Sequence, residues 1–217
     1  MDGYFFTFEG GEGGGKSTQI NLLGNYLKQK GYDVVVTREP GGTAGGEAVR
    51  HVLLSGAAKN YGTLFEALLF AASRADHVDQ VIGPALKEGK IVLCDRYIDS
   101  TKVYQGGARG ASVDDLAMLE KIAINDCLPD LTFILDLPAS LGMERANNRR
   151  GNQANTDRFE KDDLVVQEKR RQAFLQMAAD EPQRFLVIDA TQTIEDMAKQ
   201  ITASVVSFLD RKQNARA

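Results

Sequence analysis

The glycine-rich stretch FEGGEGGGKST, residues 8–18, is the part of the sequence with the clearest chemical meaning. It matches the pattern G-x-x-x-x-G-K-[ST], with the fixed positions filled by Gly10, Gly15, Lys16 and Ser17. Glycines there let backbone N–H groups turn toward an oxyanion, and the start of the following helix adds its positive dipole end. The lysine reaches the β and γ phosphates of a nucleotide, and the next hydroxyl ligates Mg²⁺. The predicted nucleotide-phosphate site comprises Gly10, Gly11, Glu12, Gly13, Gly14, Gly15, Lys16, Ser17 and Thr18.

Charged residues also follow two other apolar runs. The run KIVLCD ends at Asp95 and is followed by Arg96, and Arg38 comes directly after VVVT. We expect Asp95 to hold Mg²⁺ together with Ser17, either directly or through water. Arg38 and Arg96 stand beyond the ends of strands, where ligands bind in a parallel sheet, and they predict a second bound phosphate. A donor and an acceptor phosphate at one site indicate a nucleotide kinase.

Two other classes of protein share such a loop, and the sequence argues against both. A GTPase switch needs the strings D-x-x-G and N-K-x-D, and neither occurs in the chain. A motor or DNA-acting ATPase is usually larger, or has a carboxylate pair where this chain has Asp95 followed by Arg96. The motifs therefore favour a kinase over a switch or a motor.

Five apolar runs, separated by longer helical patterns, must position these residues. The runs are YFFTF (4–8), DVVVT (33–37), KIVLCD (90–95), LTFILDL (131–137) and RFLVID (184–189). Their continuous apolar character is what parallel strands buried on both faces require. Alternation with helices predicts an α/β fold, in which helices surround a doubly wound, five-stranded parallel sheet. We predict a single domain over residues 1–217.

Two of the helical patterns are specific enough to be checked. One begins at Ser112, which with Asp115 resembles a capping box, and its stripe is Leu116, Leu119, Ile122 and Ala123. The last helix has a stripe made by Ile194, Met197, Ile201 and Val205. Both stripes have the spacing of a helix that packs one face against a core.

The composition narrows the possible partners and the compartment. The chain has 217 residues, 43% of them hydrophobic, and a net charge of −4, so no overall basic field attracts nucleic acid or an anionic membrane. We expect a soluble protein, because no apolar run approaches the roughly 20 residues that span a bilayer, and because the first residues lack the pattern of a signal peptide. The two cysteines, Cys94 and Cys127, lie outside metal-type spacings and suit a reducing cytoplasm.

Five segments carry a resemblance to a known family. They are FEGGEGGGKST, TREPGGT, LLFAASRADHV, DRYIDSTKVYQGGARG and DRFE. In this order and spacing, through nearly the whole chain, the sequence resembles the thymidylate kinases. The resemblance implies a P-loop NTPase fold, transfer of the γ-phosphate of ATP to dTMP with Mg²⁺ as cofactor, and a homodimer. On the residues alone, a kinase for another deoxynucleoside monophosphate and a nucleotide-binding regulator without turnover stay open.

The resemblance also implies roles in the acceptor site. Phe70 is similar to the aromatic residue that stacks on thymine, and Arg74 to the residue that hydrogen-bonds a base carbonyl. Gln105 would face the thymine edge, and Tyr104 would pack under the sugar and favour deoxyribose. Glu12 would lie near the 3′-hydroxyl. The implied dTMP-binding set is Glu12, Arg38, Phe70, Arg74, Arg96, Ser100, Thr101, Tyr104 and Gln105.

The polar segment RRGNQANTDR, residues 149–158, predicts a short mobile lid over about 145–158. The phosphate loop holds one lysine and no arginine, so a further cation for the transferring phosphoryl group must come from elsewhere. We expect a lid arginine to supply it, and the candidates are Arg145, Arg149, Arg150 and Arg158. Arg149 is the first choice and Arg158 the second, and the predicted catalytic set is Lys16, Arg96, Arg149 and Arg158.

No histidine is expected to act in catalysis. The acceptor phosphate of dTMP is already largely ionised near neutral pH, so the reaction needs positioning and charge neutralisation rather than a general base. The two histidines, His51 and His77, are therefore predicted to lie on helix surfaces.

Overall fold

A fully parallel, five-stranded sheet forms the centre of the protein. The computed structural model describes residues 3–106, 110–150 and 162–215, apart from the side chains of Lys59 and Arg150. The strands are β1 (Tyr4–Glu9), β2 (Val34–Arg38), β3 (Ile91–Asp95), β4 (Leu131–Asp136) and β5 (Phe185–Asp189). They lie in the order β2-β3-β1-β4-β5. Each strand agrees with its predicted run to within one residue at either end, and the doubly wound α/β fold is confirmed.

Helices connect the strands and cover both faces of the sheet. In the described part of the chain, the α-helices are α1 (Lys16–Gln29), α2 (Ala44–Ser55), α3 (Thr63–His77), α4 (Gly83–Lys87), α5 (Ile98–Gln105), α6 (Val113–Ile124), α7 (Ala139–Arg150), α8 (Leu164–Asp180) and α9 (Ile194–Asn214). A 3₁₀ turn covers Ala57–Tyr61, and a π-helical turn covers Val78–Ile82. Among the described residues, no helix has the length and apolar character needed to cross a membrane.

The central strands are buried on both faces, whereas the edge strands are not. On one face, Phe6 packs with Leu23 of α1 and Ile201 of α9. On the other, the ring of Phe5 meets that of Tyr97 edge to face, with centroids 4.9 Å apart. Residues of β2 and β5 are partly exposed, because an edge strand has a neighbour on one side only. The prediction of burial on both faces is therefore wrong for these two strands.

Helix α6 begins as predicted but buries only part of its apolar stripe. The Ser112 hydroxyl accepts the Asp115 N–H at 3.1 Å, which confirms the predicted cap. Leu116 and Ala123 are buried, whereas Ile122 is 70% exposed, so the stripe prediction is wrong at that residue. In α9 the residues Met197, Ile201 and Val205 are buried, and only Ile194, in the first turn, is exposed.

The strand order places the catalytic loops next to one another. β1 lies between β3 and β4. The crossover from β1 leads toward the β2 edge, whereas the crossover from β3 leads past β1 to β4, and this reversal creates a crevice at the carboxyl ends of β1 and β3. The loop after β1 leads into α1, the turn after β2 into α2, and the short link after β3 into α5. Of the predicted lid, residues 145–150 belong to α7, and residues 151–158 lie outside the described residues.

Candidate active site

A cavity of about 370 Å³ lies at the carboxyl edge of the sheet, between the phosphate loop, α3 and α5. Most of the predicted site residues line it, namely Glu12, Gly13, Gly14, Gly15, Lys16, Ser17, Thr18, Arg38, Phe70, Arg74, Asp95, Arg96, Ser100, Thr101, Tyr104, Gln105 and Arg149. Gly10 and Gly11 belong to the same loop but not to the cavity wall, and Arg158 lies outside the described residues. The wall also includes residues that the sequence analysis did not select: Glu39, Pro40, Arg50, Leu54 and Tyr97.

The phosphate loop depends on backbone conformations that favour glycine. Gly10, Gly13 and Gly15 have φ values of 121°, 73° and 86°, a region that residues with a side chain rarely adopt. A Cβ atom on Gly10 would lie 2.5 Å from the carbonyl oxygen of Leu135, because the loop passes closely over β4. The loop then enters α1 at Lys16, and the first N–H groups of that helix form a site for an anion.

Lys16 is held against the inside of this loop. Its Nζ donates to the carbonyl oxygens of Gly10 at 3.1 Å and Gly11 at 2.8 Å. Burial lowers the pKa of the Lys16 ammonium, and the nearby charge of Arg96 lowers it further. The lysine therefore lies at the base of the loop, where a buried cation can meet the phosphates of a nucleotide.

Ser17 and Asp95, the predicted metal ligands, lie in contact with each other. The Ser17 hydroxyl donates to Oδ2 of Asp95 at 2.6 Å, which joins the start of α1 to the end of β3. Mg²⁺ prefers oxygen ligands and is often held by one or two protein groups together with water and substrate phosphates. The pair therefore fits Mg²⁺, since it offers a hydroxyl and a carboxylate beside the phosphate loop.

Arg96 connects the phosphate loop with helix α5. It has a positive φ of 67°, and its Nη1 donates to the Gly10 carbonyl at 3.2 Å and to the Ser100 hydroxyl at 3.1 Å. Its Nη2 forms an ion pair with Glu12. Burial alone would raise the pKa of Glu12, but the charges of Arg96 and Lys16 outweigh it and lower this pKa to about 2. Glu12 is therefore ionised at neutral pH.

Glu9 braces the turn that carries Arg96. Its Oε1 accepts the N–H groups of Tyr97 at 2.7 Å and Ser100 at 3.2 Å, and its Oε2 accepts the Ser100 hydroxyl at 2.6 Å. Burial, with the charge of Asp99, raises the pKa of Glu9 to about 7. The side chain is fully buried and does not line the cavity, so its role is to support the turn rather than to meet a ligand.

Arg74 lies at the buried end of the cavity, in the same wall as Phe70. Its Nε donates to Glu39 at 2.8 Å, and its Nη2 donates to the Tyr97 carbonyl and the Thr101 hydroxyl, both at 3.1 Å. Burial opposes the guanidinium charge, but the Glu39 carboxylate outweighs it and raises the pKa of Arg74. Arg74 was predicted from the sequence, whereas the carboxylate that holds it, Glu39, was not.

The prediction that both histidines lie on helix surfaces is confirmed for His51, which is exposed, and wrong for His77. His77 is completely buried, with its ring between Glu39 and Thr37. It follows Arg74 by three residues on α3, so both side chains lie on the face that packs against the end of β2. This i, i+3 spacing from a selected arginine was the one sequence signal that could have placed His77 inside.

Tyr104 and Gln105 close the cavity from α5. The guanidinium carbons of Arg96 and Arg170 lie 5.2 and 4.4 Å from the centre of the Tyr104 ring. Gln105 is 1% exposed, and its Nε2 has no hydrogen-bond acceptor among the described residues. A buried amide in a cavity wall is a natural donor for a polar ligand edge.

Arg38 lies farther out than the other selected arginines. Its side chain is 57% exposed, and its Nη2 donates to Glu47 of α2 at 3.0 Å. The turn behind it is tied down by Arg50, whose Nη1 donates to the Pro40 carbonyl at 2.8 Å. Arg38 and Arg96 thus both border the cavity, but only Arg96 lies against the phosphate loop.

Helix α7 packs closely against the phosphate loop where Gly142 of the helix meets Gly13 of the loop, and Arg149 of the same helix lines the cavity. A Cβ atom on Gly13 would lie 2.4 Å from the Gly142 carbonyl oxygen, and one on Gly142 would lie 2.5 Å from the Glu12 carbonyl oxygen. Arg149 follows Gly142 by seven residues, about two helical turns, and so lies on the same face. Its charge helps to lower the pKa of Glu12. Arg145 instead donates to the Ala190 carbonyl at 2.8 Å and does not line the cavity.

Comparisons with known proteins agree on one family. The family model for thymidylate kinase matches residues 8–201. The chain is 60% identical to a thymidylate kinase of Bartonella quintana (strain Toulouse) over 201 residues, 93% of this chain and 94% of the relative. It is 59% identical to one of Bartonella henselae over 202 residues, again 93% and 94%. A crystal structure of thymidylate kinase from Ehrlichia chaffeensis matches with a TM-score of 0.75 and 34% identity, covering 94% of this chain and 99% of that one.

Proposed function

This chain belongs to the thymidylate kinase family, and from that premise we propose that its cavity holds ATP and dTMP end to end. Its activity is the ATP-dependent phosphorylation of dTMP to dTDP. The observation that carries the placement is the position of Arg96, which touches both the phosphate loop and helix α5. A phosphate bound there lies between a donor on the loop and a nucleoside beside α3 and α5.

The donor half consists of the phosphate loop, Lys16 and the Ser17–Asp95 pair. Loop N–H groups hold the phosphates of ATP, and Lys16 supplies a buried positive charge. Ser17 and Asp95 would hold Mg²⁺, which when bound would supply positive charge beside the phosphates. Their hydrogen bond shows that the two side chains already lie side by side.

The acceptor half orients dTMP. Arg96 and, from the rim, Arg38 bind its phosphate, and Glu12 holds Arg96 in place through their ion pair. Phe70 stacks on thymine, and Arg74 donates to a base carbonyl. The remaining contacts come from Ser100, Thr101, Tyr104 and Gln105, all on α5. Tyr104 lies under the sugar, where its bulk selects against a 2′-hydroxyl.

Catalysis by these residues consists of positioning and charge neutralisation. The moving phosphoryl group spreads negative charge over three oxygens, and supply of an arginine to such a centre raises rates by roughly 10³–10⁵-fold. We assign this role first to Arg149, because α7 places it in the cavity wall beside Glu12. Arg158 is retained as the second candidate from the sequence.

We also propose that the enzyme is a homodimer. Helices α3 and α6 pack side by side and leave large apolar side chains exposed, namely Leu64, Phe65, Leu68, Met118 and Ile122. The occupant that we propose for this surface is a second copy of the chain, in agreement with the implication of the family resemblance. Ile122→Lys should shift the mass measured by light scattering from dimer to monomer, whereas Lys121→Ala, next to it, should not.

We place the enzyme in the cytoplasm. Both of its cysteines, Cys94 and Cys127, are buried free thiols, which suits a reducing compartment.

The most informative test of the substrate is an ADP-release assay with dTMP, dUMP, dGMP and dCMP. We expect dTMP to give the highest kcat/KM, because the cavity combines a stacking aromatic with donors for a pyrimidine edge. A clear preference for another monophosphate would overturn the proposed acceptor. ADP release that no monophosphate stimulates would overturn the proposed kinase reaction in this cavity.

A further inference from the structure

A chain of buried hydrogen bonds lies behind Arg74 and joins it to β2. One oxygen of Glu39 accepts from Arg74 Nε at 2.8 Å, and the other lies 3.0 Å from Nδ1 of His77. Nε2 of His77 lies 2.6 Å from the hydroxyl of Thr37. Glu39, Arg74 and His77 are 5%, 3% and 0% exposed. A buried polar network is favourable only when its members satisfy one another, so its geometry is closely constrained.

Hydrogen-bond chemistry assigns a direction to this chain. A carboxylate can only accept, so Nδ1 of His77 carries a proton and donates to Glu39. In the neutral imidazole, Nε2 then accepts, and the Thr37 hydroxyl donates to it. The histidine thus holds the carboxylate by one oxygen while Arg74 holds it by the other. Glu39 and Arg74 form a charge pair, and His77 orients that pair through its Nδ1–H.

The same network determines which part of Arg74 is left for a ligand. Glu39 uses Nε, and Tyr97 and Thr101 use Nη2. Among the described residues, Nη1 has no protein acceptor, and Arg74 lines the cavity. Because the guanidinium is a planar fork with five N–H donors, fixing Nε and Nη2 also fixes the direction of Nη1.

The turn after β2 is shaped to receive His77. Gly42 has a φ of 85°, and a Cβ atom there would lie 2.5 Å from Nε2 of His77 and 2.8 Å from the Thr37 hydroxyl. The next residue, Thr43, donates its hydroxyl to Asp76, the chain neighbour of His77. The close approach of this turn to the end of α3 therefore fixes the imidazole in position.

We propose that His77 is a positioning residue that sets how strictly the enzyme recognises the carbonyl at C4 of the pyrimidine. The inference rests on the proposed binding of the base at Arg74. C4 lies across the ring from the nitrogen that carries the sugar, so a donor at the buried end of the cavity meets the oxygen on C4. His77 orients Glu39, Glu39 orients the guanidinium, and Nη1 is thereby directed at that oxygen.

Two substitutions at His77 distinguish the role of Nδ1 from that of Nε2. His77→Asn places an amide nitrogen near the position of Nδ1 and keeps a donor for Glu39. His77→Gln reaches toward the position of Nε2 and leaves Glu39 without that donor. Activity is measured as kcat/KM for dTMP and for 5-methyl-dCMP, in which an amino group replaces the C4 carbonyl oxygen.

We expect His77→Gln to lower the ratio of the two kcat/KM values, dTMP over 5-methyl-dCMP, by about threefold to tenfold, the range of one hydrogen bond. The loss should appear in KM for dTMP with kcat nearly unchanged, because the base is bound alike in the ground and transition states. His77→Asn and Thr37→Val should keep the ratio within about twofold, since each leaves the donor to Glu39 in place.

The matched control is His51→Asn, which changes the exposed histidine on α2 and should leave the ratio unchanged. Both His77 variants remove buried packing and should lower the melting temperature, so only the substrate ratio separates positioning from packing. A ratio in His77→Gln equal to that of the wild type would overturn the proposal. If His77→Gln does not fold, Glu39→Gln takes its place, and we expect the same fall in the kcat/KM ratio. An unchanged ratio in Glu39→Gln would likewise overturn the proposal.

Arg74→Lys separates this inference from the proposed base site. An unchanged ratio in Arg74→Lys would overturn the placement of the base at Arg74. A ratio that falls in Arg74→Lys but not in His77→Gln would leave the base site intact and remove only the role of His77.

Discussion

In the donor half of the cavity a single loop of consecutive residues, 10–15, presents its backbone. The acceptor half is instead assembled from side chains of four segments, namely Glu12 of that loop, the end of β2, α3, and the segment from Arg96 through α5. The loop takes its shape from glycine conformations and from its close passage over β4. The acceptor half takes its shape from ion pairs, in which Glu12 holds Arg96 and Glu39 holds Arg74. The two halves share one cavity wall, but different forces hold them together.

This difference determines which substitutions each half can tolerate. A binding site formed by backbone N–H groups is disrupted by a Cβ atom that the loop cannot accommodate, or by loss of the lysine that completes it. A binding site formed by side chains is also disrupted by removal of a supporting residue, because a buried charge is then left without its counter-ion. Substitutions in one half should therefore leave binding in the other half largely intact.

The largest effect is expected from Lys16→Ala. This change removes the buried cation of the donor half, and we expect kcat to fall by at least about 10⁴-fold, since both a phosphate contact and a neutralising charge are lost. Steady-state ADP release measures the fall. Lys28→Ala, which removes an exposed lysine of the same helix, should retain wild-type turnover.

Arg149→Ala should have the next largest effect, because it removes a charge that acts on the transition state from outside both halves. We expect kcat to fall by about 10³-fold while the Kd for dTMP changes little, as for a contact made mainly in the transition state. Arg145→Ala is the matched control on the same helix, since its guanidinium binds the Ala190 carbonyl. Near-normal kcat in Arg149→Ala would move the missing cation to Arg158 or leave Arg96 to act alone.

Tyr104→Ala tests the acceptor half at the sugar. Removal of the ring should raise activity on ribo-TMP relative to dTMP by about tenfold, because the wall under the sugar opens. The measurement is the ratio of the two kcat/KM values. Tyr61→Ala, at an exposed tyrosine, provides the control. If Tyr104→Ala kept the wild-type ratio, another residue would have to select the sugar, and the next candidate is Val103, which precedes Tyr104 on α5.

The smallest effects come from a pair of glycine substitutions. In Gly142→Ala the new methyl group meets the Glu12 carbonyl at 2.5 Å, which pushes α7 from the loop. We expect a loss of about 1–3 kcal/mol in the free energy of unfolding and about tenfold in kcat, through displacement of Arg149. Gly14→Ala meets its nearest atom at 3.4 Å and should change little. Equal thermal stability and kcat for the two variants would show that the approach of α7 is not tightly packed.

The same contrast explains how much could be predicted from the sequence. The five strands and the phosphate loop were found because each is a continuous pattern, an apolar run or a spaced motif. The prediction of burial on both faces was wrong for β2 and β5, because a run of apolar residues does not show which strands lie at an edge. The prediction that Ile122 is buried was wrong for a similar reason, because helical spacing does not distinguish a face packed on the core from one facing outward.

The residues predicted for the acceptor half line the cavity, but the residues that support them were not predicted. Arg74 belongs to a recognisable motif, whereas the Glu39–His77 contact joins residues 38 positions apart and exists only once α3 packs against β2. Arg149 was preferred to Arg145 already from the sequence. The contact that directs Arg149 to the cavity, between Gly13 and Gly142, joins two distant glycines and could not be predicted.

The central claim, that one cavity has two separately built halves, is tested most directly by calorimetric binding of ADP and dTMP to Lys16→Ala and Arg74→Ala. Lys16→Ala should raise the Kd for ADP by more than about tenfold and leave the Kd for dTMP within about threefold of wild type. Arg74→Ala should raise the Kd for dTMP by more than about tenfold and leave the Kd for ADP within about threefold, as expected for loss of a hydrogen bond to a charged group. A folded Lys16→Ala protein whose dTMP affinity collapsed together with its ADP affinity would contradict the account.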